Sequence, residues 1–177
     1  MKAIFFYKLI FLILFGSKAL TAENNHKEII PPLNVLNYQR GEINGFVHLS
    51  LNQYTGRLIG KGDEDPTIFN PTQLNTDQWA SVFSRAGMKA MILTTKHHEG
   101  FSLWDTKYSK HQVMSSPFKK DIVKMAAESA KKFGLKFGIY YSMYDAHHPD
   151  FATEKYNQFV DNQLTELLTN YGDIFQV

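Results

Sequence analysis

One unit recurs along the chain: a short apolar run, a polar loop, and an amphipathic stretch that stops at glycine. Gly45-Phe46-Val47-His48-Leu49 reads as a first strand, and a Gly-rich stretch from Asn52 to Pro71 as a long loop. Thr76 to Ala86 then puts Trp79, Val82 and Phe83 on one helical face, with Asn75 or Thr76 as cap and Gly87 as stop. Lys89 to Thr95 is a second, buried strand. Asp121 to Phe133 carries Ile122, Met125, Ala126, Ser129, Ala130 and Phe133 at helical spacing before Gly134. Lys136 to Tyr141 is a third strand. Thr153 to Tyr171 aligns Tyr156, Val160, Leu164, Leu167 and Tyr171 in one stripe before Gly172, and Asp173 to Val177 opens a fourth strand. Strands separated by helix-length returns must run parallel, with right-handed crossovers.

Two α/β architectures use this rhythm, the doubly wound sheet and the (β/α)8 barrel. A doubly wound nucleotide binder needs a glycine fingerprint after its first strand, and Leu49 to Gly56 contains none. The residues able to do chemistry instead follow several strands: His48 in the first, His97 and His98 after the second, Tyr140 at the end of the third. Convergence from successive strand ends is the arrangement of a barrel site. A whole barrel takes about 250 residues. The expectation is therefore the N-terminal half of a (β/α)8 TIM barrel, truncated at the fourth strand, with residues 41–177 as a partial domain and unpaired sheet edges.

The first segment has to be set apart before charge is read. Lys2 and Lys8 flank the start of an apolar run, Leu9 to Phe15, that leads through Gly16-Ser17 into Ala19-Leu20-Thr21-Ala22, the pattern of a secretory signal peptide. The run falls short of the about 20 residues needed to span a bilayer. Residues 1–22 are expected to be a signal peptide and 23–40, with Pro31-Pro32, a linker. The product would be secreted or periplasmic, with no membrane association in its mature form. Without the three lysines of that segment, 16 basic residues face 17 acids, a formal net charge of −1. A nucleic-acid partner would require clustered Lys and Arg, and none remain. The absence of cysteine excludes disulfides, thiolate metal sites and a Cys nucleophile. Oligomeric state is not legible.

The strongest local signal is Leu93-Thr94-Thr95-Lys96-His97-His98-Glu99-Gly100-Phe101, followed by Trp104. Neighbouring side chains in a strand point to opposite faces, so both histidines reach one ligand only if the chain bends, and Gly100 permits a bend. A neutral imidazole donates from one nitrogen and accepts at the other, which suits sugar hydroxyls. The pair equally fits a turn in which it satisfies backbone carbonyls, or, less well, a metal, because the i, i+4 helical pair is missing. His48, alone in an apolar strand, reads first as a core residue. Trp104 and Phe101 are either an apolar wall for a sugar's C–H face or packing. The loop Tyr144-Asp145-Ala146-His147-His148-Pro149-Asp150 is a second metal candidate, more simply a solvated loop capping the next helix. Glu99, Asp105, Asp145 and Asp150 are the acids near the presumed mouth, none paired with another by spacing, and Asp63-Glu64-Asp65 reads as a solvated loop.

From about Gly45 onward the chain resembles the catalytic barrel of α-L-fucosidases, glycoside hydrolase family 29. The resemblance rests on Gly45-Phe46-Val47-His48, Phe69-Asn70-Pro71 with Trp79, Ala86-Gly87-Met88-Lys89, the run from Leu93 to Trp104, Lys119 to Val123, Gly134 to Ser142, and Gln163 to Gly172. It implies retaining hydrolysis of terminal α-L-fucose from oligosaccharides or glycoprotein glycans, with no cofactor and no metal. Position by position, it implies that His48, His97, His98 and Tyr140 hold the fucose hydroxyls, with Trp104 as a further candidate. The loops Asp63 to Pro66 and Asp145 to Pro149 look more like the branch acting on branched α-1,3/1,4-linked fucose. Two departures stand out. The family usually has Asp where Glu99 stands, and the branch's Glu-Trp after the first strand is not evident between Tyr54 and Gly60. The resemblance places the nucleophilic Asp just after the fourth strand, hence beyond Val177, and the acid/base later still. The chain is then expected to hold the sugar-recognition part and neither catalytic carboxylate. A fucose-binding module without hydrolytic activity and a metal-dependent barrel hydrolase are the competing expectations.

Overall fold

The structure is a computed structural model that describes residues 30–41 and 43–177. The expected signal peptide lies outside the described residues, as does most of the expected linker. The compact unit that carries the strands and helices is Pro32–Val177. Part of the segment read as linker is in fact helical: α1 spans Leu33–Gln39. Pro32 sits just before its first turn at φ −53°, and its carbonyl accepts from Leu36 N at 3.1 Å. The helix buries none of its residues fully, yet Tyr38 stacks on Phe175 at 5.9 Å between ring centres. A tertiary aromatic contact thus orders a stretch whose prolines signal a break.

The expected strands form one parallel sheet: β1 Asn44–Val47, β2 Ala90–Lys96, β3 Lys136–Tyr141 and β4 Ile174–Gln176, in the order β1-β2-β3-β4. A doubly wound sheet reverses its strand order at a switch point. A sheet that adds each strand on the same side keeps its crossover helices on one face, which is the construction of a barrel half. Those helices are α2 Thr76–Arg85, α3 Ile122–Lys132 and α4 Glu154–Asn170. α2 and α3 pack on each other and on β2, α3 also on β3, while Tyr141 Oη donates to Gln163 of α4 at 2.8 Å. Asn75 and Asp121 cap α2 and α3 by accepting from Gln78 N at 3.0 Å and Lys124 N at 2.8 Å. Each such cap contributes about 1 kcal/mol.

Every residue of β2 is buried, as a strand covered on both faces requires. Met91 and Leu93 join Ile122, Val123, Ala126, Ala130, Phe137 and Ile139 in the core between sheet and helices. Gly45 marks which face of β1 meets that layer, since a Cβ there would lie 2.3 Å from the Phe83 ring of α2. Gly45→Ala is accordingly expected to lower stability by about 1–3 kcal/mol through overpacking. A urea midpoint unchanged by the substitution would show that Phe83 moves aside freely.

Candidate functional site

Because Gly45 faces the helices, Phe46 and His48 project from the opposite, concave face. The register Phe46↔Ile92 and Thr94↔Tyr140 carries that face across β2 and β3. Strict alternation would next send Lys96 into the concavity. The ladder instead passes from Thr94↔Tyr140 to Lys96↔Tyr141, one extra residue in β2. This bulge reverses the alternation. Lys96 turns to the helix side and His97 returns to the concave side. A tight turn follows, closed by Gly100 N donating to His97 O at 3.0 Å. Gly100 is required there twice over, since its φ is +80° and a Cβ would stand 2.3 Å from Asp145 Oδ1.

The result brings together the four residues expected at the site. The His97 ring lies 4.7 Å from His48, edge to face, 4.3 Å from His98 and 6.5 Å from Tyr140, centre to centre. His48 is exposed on this face, which removes the core reading for it. Each imidazole is held through Nδ1: His48 by Thr94 Oγ1 at 3.3 Å, His97 by Glu99 Oε2 at 3.2 Å, and His98 by Ser142 Oγ at 2.6 Å. Among the described residues no partner takes any of the three Nε2 atoms or the Tyr140 hydroxyl. Fixed rings with one free nitrogen each are a ready set of hydrogen-bonding groups for a polyhydroxylated ligand.

Glu99 is the residue whose importance the sequence hides. It is fully buried, and its Oε1 accepts from Leu51 N at 3.2 Å, tying the loop after β1 to the histidine turn. Burial, with the Glu64 charge adding, pushes its carboxyl up to about 7. Burial, with the neighbouring His98 and His48, pulls His97 down to about 4. At neutral pH their contact is therefore a hydrogen bond to an uncharged imidazole and not an ion pair. Above about pH 7 the carboxylate takes the Nδ1 proton's hydrogen bond and leaves His97 Nε2 an acceptor. Below it, a protonated Glu99 donates to Nδ1 and Nε2 becomes a donor.

These shifts have opposite signs in linkage. His97, and His111 at about 4 for the same reason of burial, bind fewer protons folded than unfolded between pH 4 and 6.5, so they make stability rise with pH there. Glu99 binds more protons folded than unfolded between about pH 4.5 and 7, so it makes stability fall across that window. Glu99→Gln is expected to remove the opposing contribution and steepen the rise in urea midpoint from pH 4.5 to 6.5. Parallel profiles for the two proteins would show that Glu99 titrates as an ordinary surface acid.

Several expectations are corrected. Trp104 is fully buried, with Nε1 donating to Glu166 of α4 at 3.1 Å, so it is no wall for a ligand. The bridges Lys96↔Ser102 and Ser102↔Gln112 fold this segment back on the end of β2, and Ser102 Oγ accepts from Gln163 Nε2 of α4 at 3.3 Å. Phe101 is also fully buried, 5.2 Å from Phe69. The 63–65 loop is not simply solvated. Burial works against the Glu64 charge, but the N–H groups of Lys61 and Gly62, at 2.6 and 2.8 Å, and Arg57 hold its carboxyl below the usual range. Nor is the loop after β3 a free cap. Asp145, almost wholly buried, accepts from Lys96 Nζ at 2.7 Å and from the N–H groups of His147 and His148, both at 3.0 Å. Its histidines are engaged too, His147 Nδ1 with Gly62 O at 2.6 Å and His148 Nδ1 with Asp150 N at 3.2 Å. Among the described residues no group of three or more His, Asp or Glu is placed to hold a metal ion.

The fold and this site together define a barrel half that gathers His48, His97, His98 and Tyr140 at the C-terminal ends of its strands. A family model for α-L-fucosidases matches residues 48–176. The chain belongs to that family. It is 40% identical over 152 residues to α-L-fucosidase 1 of Arabidopsis thaliana, covering 84% of this chain and 30% of that protein. It is 32% identical over 145 residues to human plasma α-L-fucosidase, covering 76% of this chain and 31% of that one. A crystal structure of a glycoside hydrolase 29 family member from an unknown rumen bacterium superposes with a TM-score of 0.80 at 44% identity, over 82% of this chain and 27% of that chain. The chain thus spans about a third or less of the length of these relatives.

Proposed function

We propose that this chain supplies the fucose-recognition surface of an α-L-fucosidase that removes terminal α-L-fucose from oligosaccharides or glycoprotein glycans. The observation that carries the reading is the convergence of His48, His97, His98 and Tyr140, each imidazole anchored at Nδ1 and open at Nε2. Ring nitrogens and a phenol that can give or take hydrogen bonds suit a sugar, whose hydroxyls do both. The family relationship supplies the identity of the sugar.

Retaining hydrolysis needs two carboxyl groups about 5–5.5 Å apart across the scissile bond, one nucleophile and one acid/base. Glu64 and Glu99 have the divided proton affinities of such a couple, one lowered and one raised. Neither can serve. Glu99 has no exposed surface, and the oxygens of Glu64 are occupied by two backbone N–H groups. The purified chain by itself is therefore expected to bind L-fucose and to leave an aryl fucoside intact. Calorimetry with L-fucose tests the first half, and weaker binding in His98→Ala would tie it to the site. Turnover of the aryl fucoside by the same sample would overturn the recognition-only assignment. A fucose-binding module that never hydrolyses is the second reading, favoured by the burial of Glu99 and the occupied oxygens of Glu64. Export to a secreted or periplasmic location is proposed from the apolar run Leu9 to Phe15 between Lys8 and Ala19-Leu20-Thr21-Ala22, and N-terminal sequencing of the mature product would check it.

A further inference from the structure

The hydrogen-bonding sense of each Nε2 in the cluster is set by what holds its Nδ1. For His98 that sense is fixed. Ser142 Oγ gives its one proton to Tyr144 O at 2.7 Å, so toward His98 Nδ1, 2.6 Å away, it can only accept, which leaves His98 Nε2 an acceptor. For His97 the sense can change. Its Nδ1 lies 3.2 Å from Glu99 Oε2, a group that accepts when charged and donates when protonated. The other oxygen decides where the acid proton sits. Oε1 accepts from Leu51 N at 3.2 Å, so the proton of a neutral Glu99 goes to Oε2, facing the ring. The arrangement is closed to water, since the Glu99 side chain has no exposed surface and a Cβ on Gly60 would stand 2.4 Å from Glu99 Cβ. The titratable and charged groups around it are Glu64, with Arg57 beyond, in the loop after β1, His48 at the end of β1, Lys96, His97 and His98 in its own turn, His111 after that turn, and Asp145 after β3. Burial acts most strongly on the Glu99 carboxyl, and Glu64 pushes it the same way.

We infer that Glu99 is a positioning residue that acts through His97 to reverse the hydrogen-bonding sense of Nε2, and so makes fucose recognition weaken as pH rises. This rests on the fucose reading of the site and adds its regulation. With Glu99 protonated, a donor at His97 Nε2 stands beside the acceptor at His98 Nε2, the two rings 4.3 Å apart. One sugar hydroxyl then satisfies both, accepting from the first and donating to the second. With Glu99 charged, both nitrogens are acceptors, and one hydroxyl proton cannot serve two. The sugar has no group that titrates near neutrality, so a pH dependence of this kind has to come from the protein.

The test follows the His97 ring by 15N NMR in the full chain without ligand from about pH 5.5 to 8.5. L-Fucose affinity is measured by calorimetry at both ends of that range, for the wild type and Glu99→Gln. In the variant Leu51 N takes the amide oxygen, so the amide NH2 faces Nδ1 and holds Nε2 as a donor at every pH. The wild type is expected to pass from a protonated to a bare Nε2 near pH 7. Its fucose affinity should fall about fivefold over the range, the worth of one hydrogen bond. Glu99→Gln should show neither change and bind at the upper pH as the wild type binds at the lower, with His147 and His148 signals matching the wild type as the control for folding. A His97 tautomer that stays constant in the wild type, or changes alike in the two proteins, overturns the proposal whether or not fucose binds. If the ring switches but affinity follows pH equally in both proteins, the regulation is overturned while the fucose reading stands. If neither protein binds fucose at either pH, that reading fails and the regulation with it.

Discussion

Asp145→Ala is expected to destabilise the domain by about 3–5 kcal/mol, the usual consequence of stranding one member of a buried ion pair. The Lys96 side chain has no exposed surface, and its ammonium meets Asp145 Oδ2 at 2.7 Å and Tyr156 Oη at 3.1 Å. Burial pulls its proton affinity down, and Asp145, with Glu99 further off, offsets part of that fall. Without that carboxylate the ammonium must lose its proton or drag water into the layer between β2 and α4. Asp145 also accepts from two backbone N–H groups of its own loop, so the substitution frees the loop that shields the histidine turn. Asp145→Asn keeps an acceptor for those N–H groups and should recover part of the loss. Lys96→Met combined with Asp145→Asn should recover most of it, because no buried charge is left unpaired. Urea unfolding of the four proteins provides the measurement. Since whole domains are stable by only about 5–15 kcal/mol, a loss of this size should be plain. A loss below about 1 kcal/mol for Asp145→Ala would mean that water already reaches Lys96.

His97→Ala should weaken fucose binding by about 100-fold, the largest loss expected at the site. His97 is the hub of the cluster, its ring within 6.5 Å of those of His48, His98 and Tyr140. Its removal deletes a hydrogen bond, leaves a sugar hydroxyl without its partner, and releases the rings packed against it, where a single unsatisfied group costs about 1–3 kcal/mol once buried. His97→Asn, which can place an amide near the vacated nitrogen, should restore part of the affinity. An affinity within about threefold of the wild type for His97→Ala would place the fucose elsewhere on the face.

What periodicity and capping control was open to reading from the residues. The helices over 76–85, 122–132 and 154–170 and the four strands fall within a residue or two of their expected bounds, because apolar spacing, Asn75, Asp121 and the terminal glycines act locally. The convergence of His48, His97, His98 and Tyr140 followed from placing each at a strand's C-terminal end. What escaped was long-range. Lys96 and Asp145 are 49 residues apart, and nothing local marks a lysine after an apolar run as one that turns inward. The extra residue in β2 has no signature of its own, yet it decides which of Lys96 and His97 faces the site. Glu99 reads as one of several acids near the mouth because its burial is supplied by the loop after β1, about 48 residues earlier in the chain. Trp104 could have faced either way, and its partner Glu166 on α4 settles that it faces in.

Whether three anchored imidazoles with free Nε2 atoms recognise fucose can be read at those atoms, by following the histidine ring nitrogens with 15N NMR while L-fucose is added to the intact chain. The Nε2 resonances of His48, His97 and His98 are expected to move together along one saturable titration. Their Nδ1 resonances should stay close to place, held by Thr94, Glu99 and Ser142, and His147 and His148 should be unaffected. Shifts confined to His147 and His148, or no saturable change at any of the three, would contradict recognition by this cluster.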